Sequence, residues 1–147
     1  MIVIFTREQI EQAITEWLTR LNLNHFVVKV KWDDTPDDKD IGACIHVIDG
    51  RDYATIRFEH NIFNVDADEI NNDIAHELLH IHLTRLYDMP YKMLDVDNGE
   101  MKMLLNYLRD EIEHVTDRLA TALCRAMPLP KSLQEQGGTV SNNNPPS

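Results

Sequence analysis

The chain has 147 residues with ordinary apolar and charged fractions, enough for one domain to bury a core without staples. Its 25 acidic residues outnumber 14 basic ones, and the formal net charge of -11 disfavours nonspecific binding to nucleic-acid phosphates or anionic membranes. Cys44 and Cys124 form no CxxC pair, which argues against a thiolate zinc site; both are expected to be free, buried thiols in a reducing cytoplasm. No run approaches the roughly 20 apolar residues of a membrane span. The apolar start, 1–5, lacks the basic flank and the length of a signal peptide.

Taken in order, residues 6–21 read as a helix. Thr6 and Gln9 make a capping box, and Ile10, Ala13, Ile14, Trp17, Leu18 and Leu21 recur at helical spacing. Residues 25–32 alternate as a strand, with Phe26, Val28, Val30 and Trp32 on one face and Val27, Lys29 and Lys31 on the other. An acidic loop, 33–40, follows. A second strand spans 41–48, Asp49-Gly50 signals a hairpin, and 51–59 returns with Ala54, Ile56 and Phe58 against Tyr53, Thr55, Arg57 and Glu59. Asp66 and Glu69 cap a helix over 67–86, and 87–99, punctuated by Pro90 and Asn98-Gly99, reads as a loop. A long helix, 100–126, carries Met101, Leu104, Leu105, Leu108, Ile112, Val115, Leu119, Ala122 and Leu123 and is stopped by Pro128. Residues 1–130 are expected to form a single domain. The segment 131–147 is expected to be a disordered tail, with 137–147 rich in Gly, Asn, Pro and Ser. The class is α+β: an N-terminal helix, a three-stranded, mostly antiparallel sheet, and two helices on one sheet face.

The chemistry lies in His76-Glu77-Leu78-Leu79-His80, an HExxH motif. On a helix, residues four apart share a side, so both imidazoles can reach one zinc ion at about 2.0–2.1 Å. Glu77 projects beside them as a general base. Composition alone yields the motif about 2% of the time, so its helical context and a third ligand decide its meaning. Glu113 lies on the next helix, where a helical hairpin can return it to the histidines. Catalytic zinc commonly takes three protein ligands. Asp117, one turn on, is placed to accept a hydrogen bond from the far nitrogen of a ligating histidine. Glu111 and His114 are the competing third ligands: Glu111 lies on the opposite edge of the apolar stripe, and His114 points about 100° from Glu113. His82 faces elsewhere, and His25, His46 and His60 have no metal spacing. Leu83 and Leu86 occupy the positions where a metzincin has Gly and its third His.

Ile74-Ala75-His76-Glu77-Leu78-Leu79-His80, then Glu113 to Ala120, then Met127-Pro128, resemble the gluzincin branch of the zincin metallopeptidases, and within it the ImmA/IrrE-type peptidases of bacteria, phages and mobile elements. The resemblance covers about residues 45–128. It implies a zincin-like fold with Zn2+ on His76, His80 and Glu113, Glu77 as catalytic base and Asp117 in support. It also implies a protein or peptide substrate, often a single regulatory protein.

The expected function is therefore hydrolysis of a peptide bond, with the strand 51–59 offering its edge to an extended substrate. Two other readings are a noncatalytic, phage-encoded zincin-like module that binds a protein partner, and an acidic decoy or inhibitor that acts by charge. An intact Glu77 argues against a purely structural metal site.

Overall fold

The computed structural model describes residues 5–32, 43–48, 50–59, 65–93 and 98–134. Helix α1, Arg7–Arg20, begins at the expected capping box: Thr6 Oγ1 accepts the Gln9 N–H at 3.2 Å, and Gln9 Oε1 accepts the Thr6 N–H at 2.9 Å. It buries Ile10, Ala13, Ile14 and Trp17. It ends where Asn22 takes a left-handed conformation (φ 56°), which asparagine tolerates better than most residues.

Three strands follow: β1, Val27–Trp32; β2, Ala43–Val47; and β3, Tyr53–Phe58. All three alternate in burial as their sequences require. The pairing order does not follow the chain. β3 is central, parallel to β1 (Val27 opposite Tyr53 through Trp32 opposite Phe58) and antiparallel to β2 (Ala43 opposite Phe58). The sheet is thus mixed, one parallel and one antiparallel pairing, and not mostly antiparallel. Period-2 alternation specifies which face is buried and is silent about neighbours. The central place falls to the strand whose inner side chains, Ala54, Ile56 and Phe58, are completely buried. The β2–β3 hairpin closes through Gly50 (φ 70°), where glycine meets no steric cost; Asp49 lies outside the described residues.

Helix α2, Ala67–Met93, is longer than its apolar spacing suggests and runs through Pro90. The proline has no N–H to give the Leu86 carbonyl, but here the pattern continues past it, and Tyr87 packs its ring 5.9 Å from that of Tyr91. Helix α3, Gly99–Ala126, starts on Asn98, whose side chain accepts the Glu100 N–H, and ends at Met127. Its buried residues are Leu105, Thr116 and Ala120. Leu104, Val115 and Leu119, assigned by spacing to the apolar stripe, are exposed. Lys131–Gln134, assigned by composition to the tail, form a short helix, α4. It is clasped to α1 by Ser132 Oγ donating to Gln9 O at 2.7 Å and Gln9 Nε2 donating to Ser132 O at 3.2 Å.

One core gathers the inner sheet face, α1 and the N-terminal half of α2, with Leu133 closing it from α4. Neither cysteine is disulfide-bonded; Cys44 is exposed, because alternation turns Ala43, Ile45 and Val47 inward and Cys44 outward. No described helix is long and apolar enough to cross a membrane.

Among the described residues the core buries a polar pair: the Trp17 indole N–H donates to Asn71 Oδ1 at 2.7 Å. Asn71→Leu is expected to destabilise the fold by about 1–3 kcal/mol, since the indole donor would be stranded. Urea unfolding checks this. A Trp17→Phe, Asn71→Leu double variant should recover much of the loss, because it removes both polar partners.

Candidate metal centre

The N-terminal half of α2 is fixed by the core through Ile70, Ile74, Ala75, Leu78 and Ile81. Helical geometry then turns His76, Glu77 and His80 to the side between the sheet and α3. α3 packs antiparallel against α2. Cys124 Sγ lies 3.7 Å from Asn71 O, Asp117 meets His76, and Glu113 meets His80. Thr116 and Ala120, both fully buried, are small enough to let the two backbones approach.

The result is a convergence of donor atoms. His76 Nε2 and His80 Nε2 are 3.0 Å apart, and the two Glu113 oxygens lie 3.3 Å from the first and 3.2 Å from the second. The rings meet edge to face. The ligand atoms of His76, His80 and Glu113 all fall within 4.8 Å of one another. Four donors tetrahedral about one ion at 2.0–2.1 Å stand about 3.3 Å apart, so the separations suit a tetrahedral metal. Asp117 Oδ1 lies 2.7 Å from His76 Nδ1. It accepts that N–H and so holds Nε2 as a lone pair facing the cluster. The five residues singled out in the sequence are thereby brought together. The competitors are not: His114 is exposed, 4.0 Å from Glu111 Oε1 and away from the cluster. His82 instead bonds the Leu21 carbonyl at 2.9 Å, tying α2 to the end of α1. His60 lies outside the described residues.

Burial and crowding set the charges. Glu77 is pushed up to about 8 by burial, then by the negative charges of Glu113 and Asp73, against a hydrogen bond from the Ile45 N–H. Asp73 is raised to about 6 by burial and by Glu69, with His76 pulling the other way. His80 is lowered, chiefly by burial, against the raising pull of Glu113. A surplus of carboxyl groups around two imidazoles is a site that favours a cation.

Over this cluster opens a cleft of about 700 Å³. One wall is β2 with Ile48; the other is Leu83, Thr84 and Tyr87 of α2 with Arg109 and Ile112 of α3. The wall belongs to β2 and not to β3, the strand expected to present an edge: β3 is paired on both sides. Ile48 N donates to Tyr53 O, so alternation points the backbone groups of Ala43, Ile45 and Val47 away from β3. The Ile45 hydrogen bond to Glu77 agrees with this. Asp73, Thr84 and Arg109 were not singled out in the sequence. Asp73 and Arg109 each sit one turn before a site residue, Glu77 and Glu113, and that spacing is their only signal.

Compared with models of known protein families, with curated proteins and with solved structures, the chain matches none.

Two outcomes follow from the geometry. Asp117→Ala is expected to weaken Zn2+ binding about 10- to 100-fold in a competition titration while leaving the circular dichroism spectrum unchanged. The second concerns metal-free protein. Below pH 4.5 Glu77 carries its proton in the folded and unfolded chains alike. Between 4.5 and about 8 the unfolded chain releases that proton and the folded one keeps it, so stability falls as pH rises; above about 8 the penalty is constant. Metal-free Glu77→Gln should therefore match wild type in Tm at pH 4 and exceed it by about 5 °C or more at pH 8, measured by calorimetry.

Proposed function

We propose that this chain is a zinc-dependent metallopeptidase of the gluzincin type, similar in its site to the ImmA/IrrE peptidases. The observation that carries this reading is the meeting of His76, His80 and Glu113 at one point, beside the partly buried carboxyl of Glu77 and on the floor of an open cleft.

His76, His80 and Glu113 would hold the zinc. Bound there, zinc would polarise a peptide carbonyl and lower the pKa of water toward 7. The remaining work falls to the protein. An extended peptide can add itself to the outer edge of β2, where Ala43, Val47 and the Ile45 carbonyl offer backbone groups at strand spacing. Glu77 takes a proton from the attacking water as its oxygen bonds to the carbonyl carbon. It returns that proton to the amine nitrogen as the C–N bond breaks, so the carboxylate is regenerated. Asp117 keeps the His76 ring in one tautomer throughout.

The test pairs metal content with cleavage. Protein prepared without a histidine tag is expected to bind one zinc per chain, in wild type and in Glu77→Gln equally. A search for new protein termini in lysates of bacterial hosts should find cleavages that require wild type and disappear with a chelator. Glu77→Gln should slow them about 10²- to 10⁴-fold. Stoichiometric zinc with no cleavage by wild type would favour a noncatalytic binding module. Failure to bind zinc would remove the metallopeptidase reading.

A further inference from the structure

The cleft does not end at the metal ligands. His76 meets Asp117 and His80 meets Glu113, and the same antiparallel register carried one turn further sets Thr84 opposite Arg109. Both residues line the cleft. At 1.5 Å per residue, Arg109 stands about 6 Å along α3 from Glu113. That is the span of about two residues of extended peptide.

Three features mark Arg109. It is the cation of the cleft nearest the ligand cluster: Lys92 is twelve residues beyond His80, about 18 Å along α2. Asp88, which also lines the cleft, shares that far end with Lys92 and balances it in charge. Among the described residues, the sole ion pair of Arg109 is a 3.9 Å approach of its Nε to Asp110, so its two terminal nitrogens face no carboxylate. A guanidinium fork on a cleft wall, in a chain of net charge -11, is matched to a planar anion that accepts two parallel hydrogen bonds. Leu83, Tyr87 and Ile112 supply apolar wall beside it for the stem of a side chain.

We propose that Arg109 is a specificity-determining residue that selects a peptide carboxylate within about two residues of the bond to be cleaved. This rests on reading the cleft as a peptide site. The carboxylate is that of an Asp or Glu side chain or of a free C-terminus, and the two sources separate in the test below.

Zinc-equilibrated Glu77→Gln protein is used to select from two random hexapeptide pools, one with free C-termini and one amidated, and bound peptides are sequenced by mass spectrometry. The same selection is run with Arg109→Gln and Arg109→Glu in the Glu77→Gln background. Arg109 is more than half exposed, so neither change disturbs packing; circular dichroism confirms it. Glu77→Gln is expected to enrich Asp and Glu about tenfold at one position of the amidated pool, or free over amidated termini by a like factor. Arg109→Gln should abolish the preference, and Arg109→Glu should replace it with Lys and Arg. The first enrichment identifies a side-chain carboxylate and the second a terminal one. No acidic preference in either pool, or one that survives Arg109→Gln, overturns the proposal. Because binding is read without cleavage, the two claims fail separately. An Arg109-dependent selection beside an inactive wild type would sink the peptidase reading alone. Cleavage with no acidic preference would sink this one alone.

Discussion

The close antiparallel contact of α2 with α3 is the constraint on which the rest depends. Each helix alone carries an incomplete set of donors: two imidazoles and a carboxyl group on one, two carboxylates on the other. Thr116 and Ala120, buried without trace on α3, are what lets the helices come near enough for Glu113 and Asp117, which flank Thr116, to reach the histidines. A bulky residue at either position would hold the helices apart by more than the donor distances allow, since ligand geometry tolerates errors of about 0.2 Å. Thr116 contributes its small size at no cost in polarity, because its hydroxyl donates to the Ile112 carbonyl at 2.7 Å.

The same contact concentrates acid. Asp73, Glu77, Glu113 and Asp117 gather around two imidazoles, and the two best-buried of the carboxylates rise far above their ordinary values. A protein without a ligand in this position works against its own folding. Any cation that binds the folded chain and not the unfolded one returns that free energy by mass action. The cluster is locally unfavourable and supported from outside, by the apolar core beneath α2 and the Trp17–Asn71 pair.

Much of this was legible from residue patterns, for reasons that are themselves local. A capping box is a short-range arrangement, so Thr6 and Gln9 announce α1 directly. Side-chain direction on a helix is periodic, so HExxH and a Glu and Asp four apart announce two facing edges. What escaped depends on distant partners. The parallel pairing of β1 with β3 leaves no mark on alternation, and the edge strand could not be known before the order of strands was. The buried side of α3 is set by what it leans on, so Thr116 and Ala120 displaced the larger Leu104 and Leu119 from the interior. Pro90 reads as a breaker, yet α2 continues past it. The acidic loop at 33–40 lies outside the described residues.

The clasp between α1 and α4 bears on how the chain acquires its structure. Gln9 and Ser132 exchange two hydrogen bonds across 123 positions of sequence, and Leu133 fills the core beside them. The β2–β3 hairpin and the α2–α3 pair join neighbours in sequence and close small loops, which the entropy of an unfolded polymer penalises least. The clasp closes the largest loop the described chain contains. During synthesis, which runs from the N-terminus, α1 leaves the ribosome with its capping turn made and its partner not yet translated. The polypeptide completes its architecture only when the segment around residue 132 emerges. Until then the part of α1 around Gln9 that α4 covers is open to chaperones, and a ribosome stalled before that point would display α1 held by the sheet and α2 alone.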